Sequence, residues 1–104
     1  MDLDRLIQRE DDLDALAADL WPWVCALLQV EVREAPRVRW LDRRLIEVFA
    51  PDAVNPAAFI PGEGVYLSYD DPIRLGVLVH ELAHAAGASE SGAVWVEEQF
   101  RMMA

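Results

Sequence analysis

The run Val77-Leu78-Val79-His80-Glu81-Leu82-Ala83-His84-Ala85-Ala86-Gly87 constrains this chain more than any other stretch. Apart from two histidines and one glutamate it is apolar or small, so as a helix it is apolar nearly all round and belongs in an interior. His80 and His84 are the only histidines of the chain. Their spacing of four stacks them one turn apart on one helix face. Two imidazoles left unpaired in such a place are costly, and a shared metal ion removes the cost. This spacing lets both rings grip a single Zn2+, with Glu81 beside them as general base toward a water on the metal. At about 100° per residue, Ile73, Val77, His80 and His84 share a stripe, while Leu75, Leu78, Val79, Leu82 and Ala86 lie opposite.

The 104 residues suit one domain with one modest core, and 54% of them are apolar, which points to a folded globular chain. A formal net charge of −10 disfavours nucleic acid and anionic membrane as partners. Arg37, Arg39, Arg43 and Arg44 cluster, which reads as the solvated side of a strand and turn. The single cysteine, Cys25, has no partner for an intrachain disulfide and is expected as a small buried hydrophobe. The opening Met1-Asp2-Leu3-Asp4 lacks the basic start and apolar core of a signal peptide, and no apolar run is long enough to span a membrane. The expected location is the cytoplasm.

Along the chain, Leu3, Leu6, Ile7, Leu13, Leu16, Ala17 and Leu20 recur at threes and fours, which predicts a helix over Asp2 to Leu20. Asp2 and Asp4 suit its N-terminus, and Glu10, Asp11 and Asp12 read as its solvated face. Pro22 either kinks that helix or starts a second one, with apolar residues continuing to about Val32. Trp21 and Trp23 are expected in the core. Val38 to Leu41 reads as a strand, Leu45 to Phe49 as either strand or helical turn, and Ala50 to Pro56 as loop. Ala58 to Ile60 and Val65 to Ser68, separated by a turn with two glycines, read as a β-hairpin. Asp71 then Pro72 reads as the start of the histidine helix, which stops at Gly87. After a turn over Ala88 to Ser91, with Ser91 as cap, a last helix runs from Gly92. The order makes the chain α+β.

A catalytic zinc usually has three protein ligands and one open position. Glu90 stands ten residues after His80, with Gly87 between them. Two antiparallel helices joined by a turn centred near residue 89 also bring Glu97 and Glu98 within reach of His80. The residues alone leave Glu90, Glu97, Glu98 or an aspartate open, with the turn favouring Glu97 and Glu98 over Glu90.

His80-Glu81-Leu82-Ala83-His84 resembles the His-Glu-x-x-His signature of the zincin metallopeptidases. Trp95-Val96-Glu97-Glu98-Gln99-Phe100 resembles the glutamate helix of the gluzincin branch, whose aminopeptidases typically read Trp-Leu-Asn-Glu-Gly-Phe-Ala. The two blocks cover about a quarter of the chain. Laid on this sequence, the resemblance implies His80, His84 and Glu98 as zinc ligands and Glu81 as the catalytic base. The departures are a short spacing before Glu98, Gln99 and Arg101 in place of small residues, and only six residues after Glu98. The nearest analogy is to minimal, single-domain gluzincins. Metzincins carry glycine where Gly87 stands, and His or Asp where Glu90 stands.

The resemblance implies a zincin-like α+β domain over 1–104, with a small sheet and hairpin, the active-site helix and an antiparallel glutamate helix. It implies a zinc-dependent peptidase acting on a peptide or protein substrate, which pairs with an edge strand of the hairpin. Tyr66, Tyr69 and Arg74 are candidates to face a developing oxyanion. The alternatives are a zincin-fold module that keeps the metal for binding or assembly, and a metal-free helical scaffold. Glu81 favours the peptidase, because a structural site needs ligands and no base. The apolar C-terminal residues are expected in the core, with self-association as the other use for them.

Overall fold

The histidine helix is the hub of the computed structural model, which describes residues 3–52 and 56–103. Among the described residues the elements are α1 (Leu13–Leu28), β1 (Val38–Leu41), α2 (Arg43–Phe49), β2 (Ala57–Ile60), β3 (Gly64–Ser68), α3 (Leu75–Ala85) and α4 (Glu90–Met102). Four helices and one small mixed sheet make an α+β fold. None of these helices is long and apolar enough to cross a membrane.

The sheet runs β1-β3-β2. β1 lies parallel to β3 with Val38 opposite Val65, and β2 lies antiparallel to it with Phe59 opposite Val65. The hairpin turn needs Gly64, whose φ of +126° belongs to glycine and whose Cβ would stand 2.5 Å from the Arg37 carbonyl oxygen. β2 is an edge strand. Ser68 N–H donates to Pro56 O and Glu63 N–H to Ile60 O, so even-numbered residues of this segment face β3. The backbone groups of Ala57 and Phe59 therefore turn to the outer edge.

α3 packs on the sheet, on α1 and on α4. Leu78, Val79, Leu82 and Ala83 have no exposed surface and join Ala17, Val24, Cys25, Val65, Leu67, Ala93 and Val96 in one core. Cys25 is buried, as its apolar setting suggested. Trp21 is buried with its indole N–H on Arg33 O, and Trp23 meets Phe100 edge to face. The arginines are solvated: Arg39 pairs with Asp14, and Arg43 pairs with Glu47 and Asp71.

The N-terminal expectation needs correcting. Helix begins at Leu13, with Asp12 as cap, while the chain before it lies extended across the start of α3. Leu6 bridges Arg74, Ile7 N–H donates to Ile73 O, and Leu75 N–H donates to Arg5 O. Apolar spacing at Leu3, Leu6 and Ile7 serves this extended segment as well as a helix; Asp2 lies outside the described residues. α1 passes through Pro22 unbroken, because Pro22 and Ala18 are both exposed and water can take the carbonyl that proline leaves unpaired. It ends at Gln29 in the left-handed region, earlier than Val32.

Two helix starts also differ. α3 opens at Leu75, because the pairing with residues 5–7 keeps 73 and 74 extended; Asp71 instead accepts from Ser68 Oγ and pairs with Arg43. Asp4 Oδ1 takes the Gly76 N–H at 2.7 Å. α4 opens at Glu90, capped by Ser89, whose Oγ accepts the Gly92 N–H. Residues 45–49 fall within a helix, α2. The loop expected over Ala50 to Pro56 lies partly outside the described residues.

Candidate metal centre

α3 delivers His80 and His84 one turn apart, with ring centroids 5.0 Å from each other. What each Nδ1 touches decides what each Nε2 can do. His84 Nδ1 lies 3.0 Å from Ala88 O, a pure acceptor, so Nδ1 carries the hydrogen. His80 Nδ1 lies 2.8 Å from Glu97 Oε1, and an ionised carboxylate also only accepts. In the neutral rings both Nε2 atoms are therefore bare lone pairs. They converge on a third acceptor, Glu90 Oε1, at 2.5 Å from His80 and 3.4 Å from His84.

Three acceptor atoms aimed at one another repel unless a cation or proton stands between them. Among the described residues, His80, His84 and Glu90 form the group whose ligand atoms lie within 4.8 Å of one another. The donor set of two imidazoles and one carboxylate is that of catalytic zinc. A tetrahedron with bonds of about 2.1 Å has an edge of about 3.4 Å, which the Glu90–His84 separation matches. The Glu90–His80 contact is that of a direct hydrogen bond. The residues fit the metal, with the exposed Glu90 carboxylate free to open from His80.

Ser89 brings Glu90 into this group. As cap it makes Glu90 the first residue of α4, beside the end of α3. Glu97 and Arg101 follow after seven and four more residues on the same stripe. Glu98, the ligand implied by the gluzincin resemblance, is turned about 100° away; it is exposed, lines the same groove and stands outside the donor group.

Glu81 is buried beside the histidines, and its Oε1 accepts the Phe59 N–H of β2 at 3.0 Å. Burial raises its pKa from the ordinary 4.5 to about 7, with Glu90 adding to the rise. The charges of His80 and His84 and the Phe59 N–H oppose it. A divalent cation alongside would pull it down further.

The histidines, Glu81 and Glu90 line a groove of about 680 Å³. Ala57, Ala58 and Phe59 of β2 form one wall, and Val94, Glu98 and Arg101 of α4 the other. Tyr66, Tyr69 and Arg74 do not line it. Tyr66 bonds Glu63 and stacks on Phe49, Arg9 covers the Tyr69 ring, and Arg74 donates to Asp4 O.

Sequence reasoning brought Glu97 within reach of His80 but did not find its role on Nδ1. The seven-residue interval from Glu90 to Glu97 was the available signal. The Phe59–Glu81 bond had none, since a backbone donor leaves no mark in a sequence. No known protein family, curated protein or solved structure matches the chain.

Proposed function

We propose that this chain is a zinc-dependent peptidase, a minimal zincin-like domain in which His80, His84 and Glu90 hold the ion and Glu81 is the catalytic base. One observation carries the reading. Both Nδ1 atoms are held by acceptors, so in the neutral rings both Nε2 lone pairs point at the Glu90 carboxylate, where a cation would relieve their repulsion. Zinc bound there supplies Lewis acidity, polarising a carbonyl and lowering the pKa of a water molecule.

The remaining chemistry belongs to the side chains. The free Glu81 carboxylate oxygen takes a proton from the attacking water as the water oxygen bonds to the carbonyl carbon. Glu81 then passes that proton to the departing amine nitrogen as the C–N bond breaks. Burial pushes the Glu81 pKa up, the direction that suits a group that must both accept and return a proton, while a bound cation would draw it back toward the ordinary carboxylate range. The Phe59 N–H on Oε1 orients the carboxylate and leaves Oε2 for the proton. The outward backbone groups of Ala57 and the Phe59 carbonyl suit an extended peptide added alongside β2, the Phe59 N–H being held by Glu81. A net charge of −10 does not suit nucleic acid or an anionic membrane as a partner.

The test is hydrolysis of a mixed peptide library by the zinc-loaded chain and its Glu81→Gln variant. The expected result is turnover that falls at least about a hundredfold in Glu81→Gln while the metal is retained. Bound zinc with no cleavage by the unmodified chain would make it a binding or assembly module instead.

A further inference from the structure

Resting on that metal reading, we infer that Glu97 is a positioning residue for His80, and that Arg101 and Asp4 hold it in place by tying α4 and the segment before α1 to the metal centre. The contacts form a closed ring. His80 Nδ1 donates to Glu97 Oε1 at 2.8 Å, and Glu97 Oε2 takes a tight ion pair from Arg101 Nη1. Arg101 Nε donates to Asp4 Oδ2 at 3.1 Å, and Asp4 Oδ1 accepts the Gly76 N–H at 2.7 Å. Gly76 lies in the first turn of α3, the helix that carries His80. The ring therefore joins α3, α4 and the N-terminal segment, and it closes on the helix it started from.

The inner members are shielded. The side chains of His80, Glu97 and Asp4 are 6%, 13% and 14% exposed and that of Arg101 is 46% exposed, so the His80–Glu97 contact is screened less than a surface pair. A carboxylate on Nδ1 fixes the ring orientation and strengthens Nε2 as a ligand. His84 has only a neutral carbonyl in that role, which makes the two histidines unequal.

Gly76 supplies a separate observation. Its φ is helical, and glycine inside a helix costs about 1 kcal/mol against alanine. Here a Cβ would lie 2.9 Å from Asp4 Oδ1 and 3.0 Å from Arg101 Nε. The glycine makes room for the ring. Because those two atoms sit at the ends of flexible side chains, Gly76→Ala can displace them without disturbing the core.

The experiment is zinc affinity by chelator competition on the full chain, its Glu97→Ala, Glu97→Gln, Gly76→Ala and Glu90→Ala variants, with the visible spectrum of the cobalt-substituted forms. Folding of each is checked by circular dichroism after metal removal. Glu97→Ala is expected to bind about 10- to 100-fold more weakly, with a shifted cobalt spectrum, and Glu97→Gln to recover part of the loss. Gly76→Ala is expected to fold as well as the parent and to bind several-fold more weakly. Unchanged affinity in Glu97→Ala overturns the inference, and unchanged affinity in Gly76→Ala removes Arg101 and Asp4 from it. Loss in Glu97→Ala as complete as in Glu90→Ala, with no recovery in Glu97→Gln, makes Glu97 a ligand and also overturns it. No zinc bound by the unmodified chain would instead refute the metal reading itself.

Discussion

Glu81 makes the metal-free protein less stable than its core allows, and Glu81→Gln is expected to release that cost. The side chain is 6% exposed, and its pKa is raised from 4.5 to about 7, mainly by burial. A rise of this size corresponds to about 3 kcal/mol of preference for the protonated form. The folded chain keeps this proton over a range in which the unfolded chain has released it. The contribution of Glu81 to stability is therefore fullest below about pH 4.5 and is lost as pH rises to about 7. Glutamine has nearly the same shape, still accepts the Phe59 N–H through its carbonyl oxygen, and carries no charge. In urea unfolding of chelator-treated protein, Glu81→Gln should gain up to about 3 kcal/mol over the parent at pH of about 8, and little at about 4.5. With zinc bound the gain should shrink, because the cation stabilises the carboxylate. Equal stability of the two proteins across that pH range would refute the reasoning.

Three further outcomes follow from the fold. Gly64→Ala, with φ at +126° and a Cβ 2.5 Å from Arg37 O, should lower stability by about 2 kcal/mol or more; an unchanged urea midpoint would contradict this. Leu78→Ala empties a side-chain site with no exposed surface and should cost about 2–5 kcal/mol. That is a fall of roughly 10 °C or more in the calorimetric midpoint. The Val38 N–H and Arg39 hold the Asp14 carboxyl below its usual range. Its contribution is present above about pH 4 and is lost as pH falls through the folded value. Asp14→Asn should accordingly flatten the acid limb of a stability–pH curve measured by urea unfolding.

Local pattern made legible those elements whose form is decided locally. The apolar frame of His80 and His84 requires a buried helix, the two-glycine turn at residues 62 and 64 requires a hairpin, and Val38 to Leu41 is a strand. The antiparallel pairing of α3 with α4 followed from the short turn between them. What local pattern hid was decided by distant partners. Leu3, Leu6 and Ile7 fit a helical period, yet Ile73 and Leu75 offer them backbone bonds that no local signal announces. Asp71 before Pro72 has the form of a cap, but Ser68 and Arg43 claim its carboxylate. At the candidate metal centre, Ser89 rather than Ser91 caps α4. That shift takes Glu90 into the first turn of α4, beside His80 and His84.

The most direct test of the metal centre is zinc content by mass spectrometry on the parent chain, Glu90→Ala and Glu98→Ala, each equilibrated with zinc and then dialysed. The expected result is about one zinc per chain in the parent and in Glu98→Ala, and a loss in Glu90→Ala. Zinc kept in Glu90→Ala but lost in Glu98→Ala, or no zinc in the parent, would contradict it.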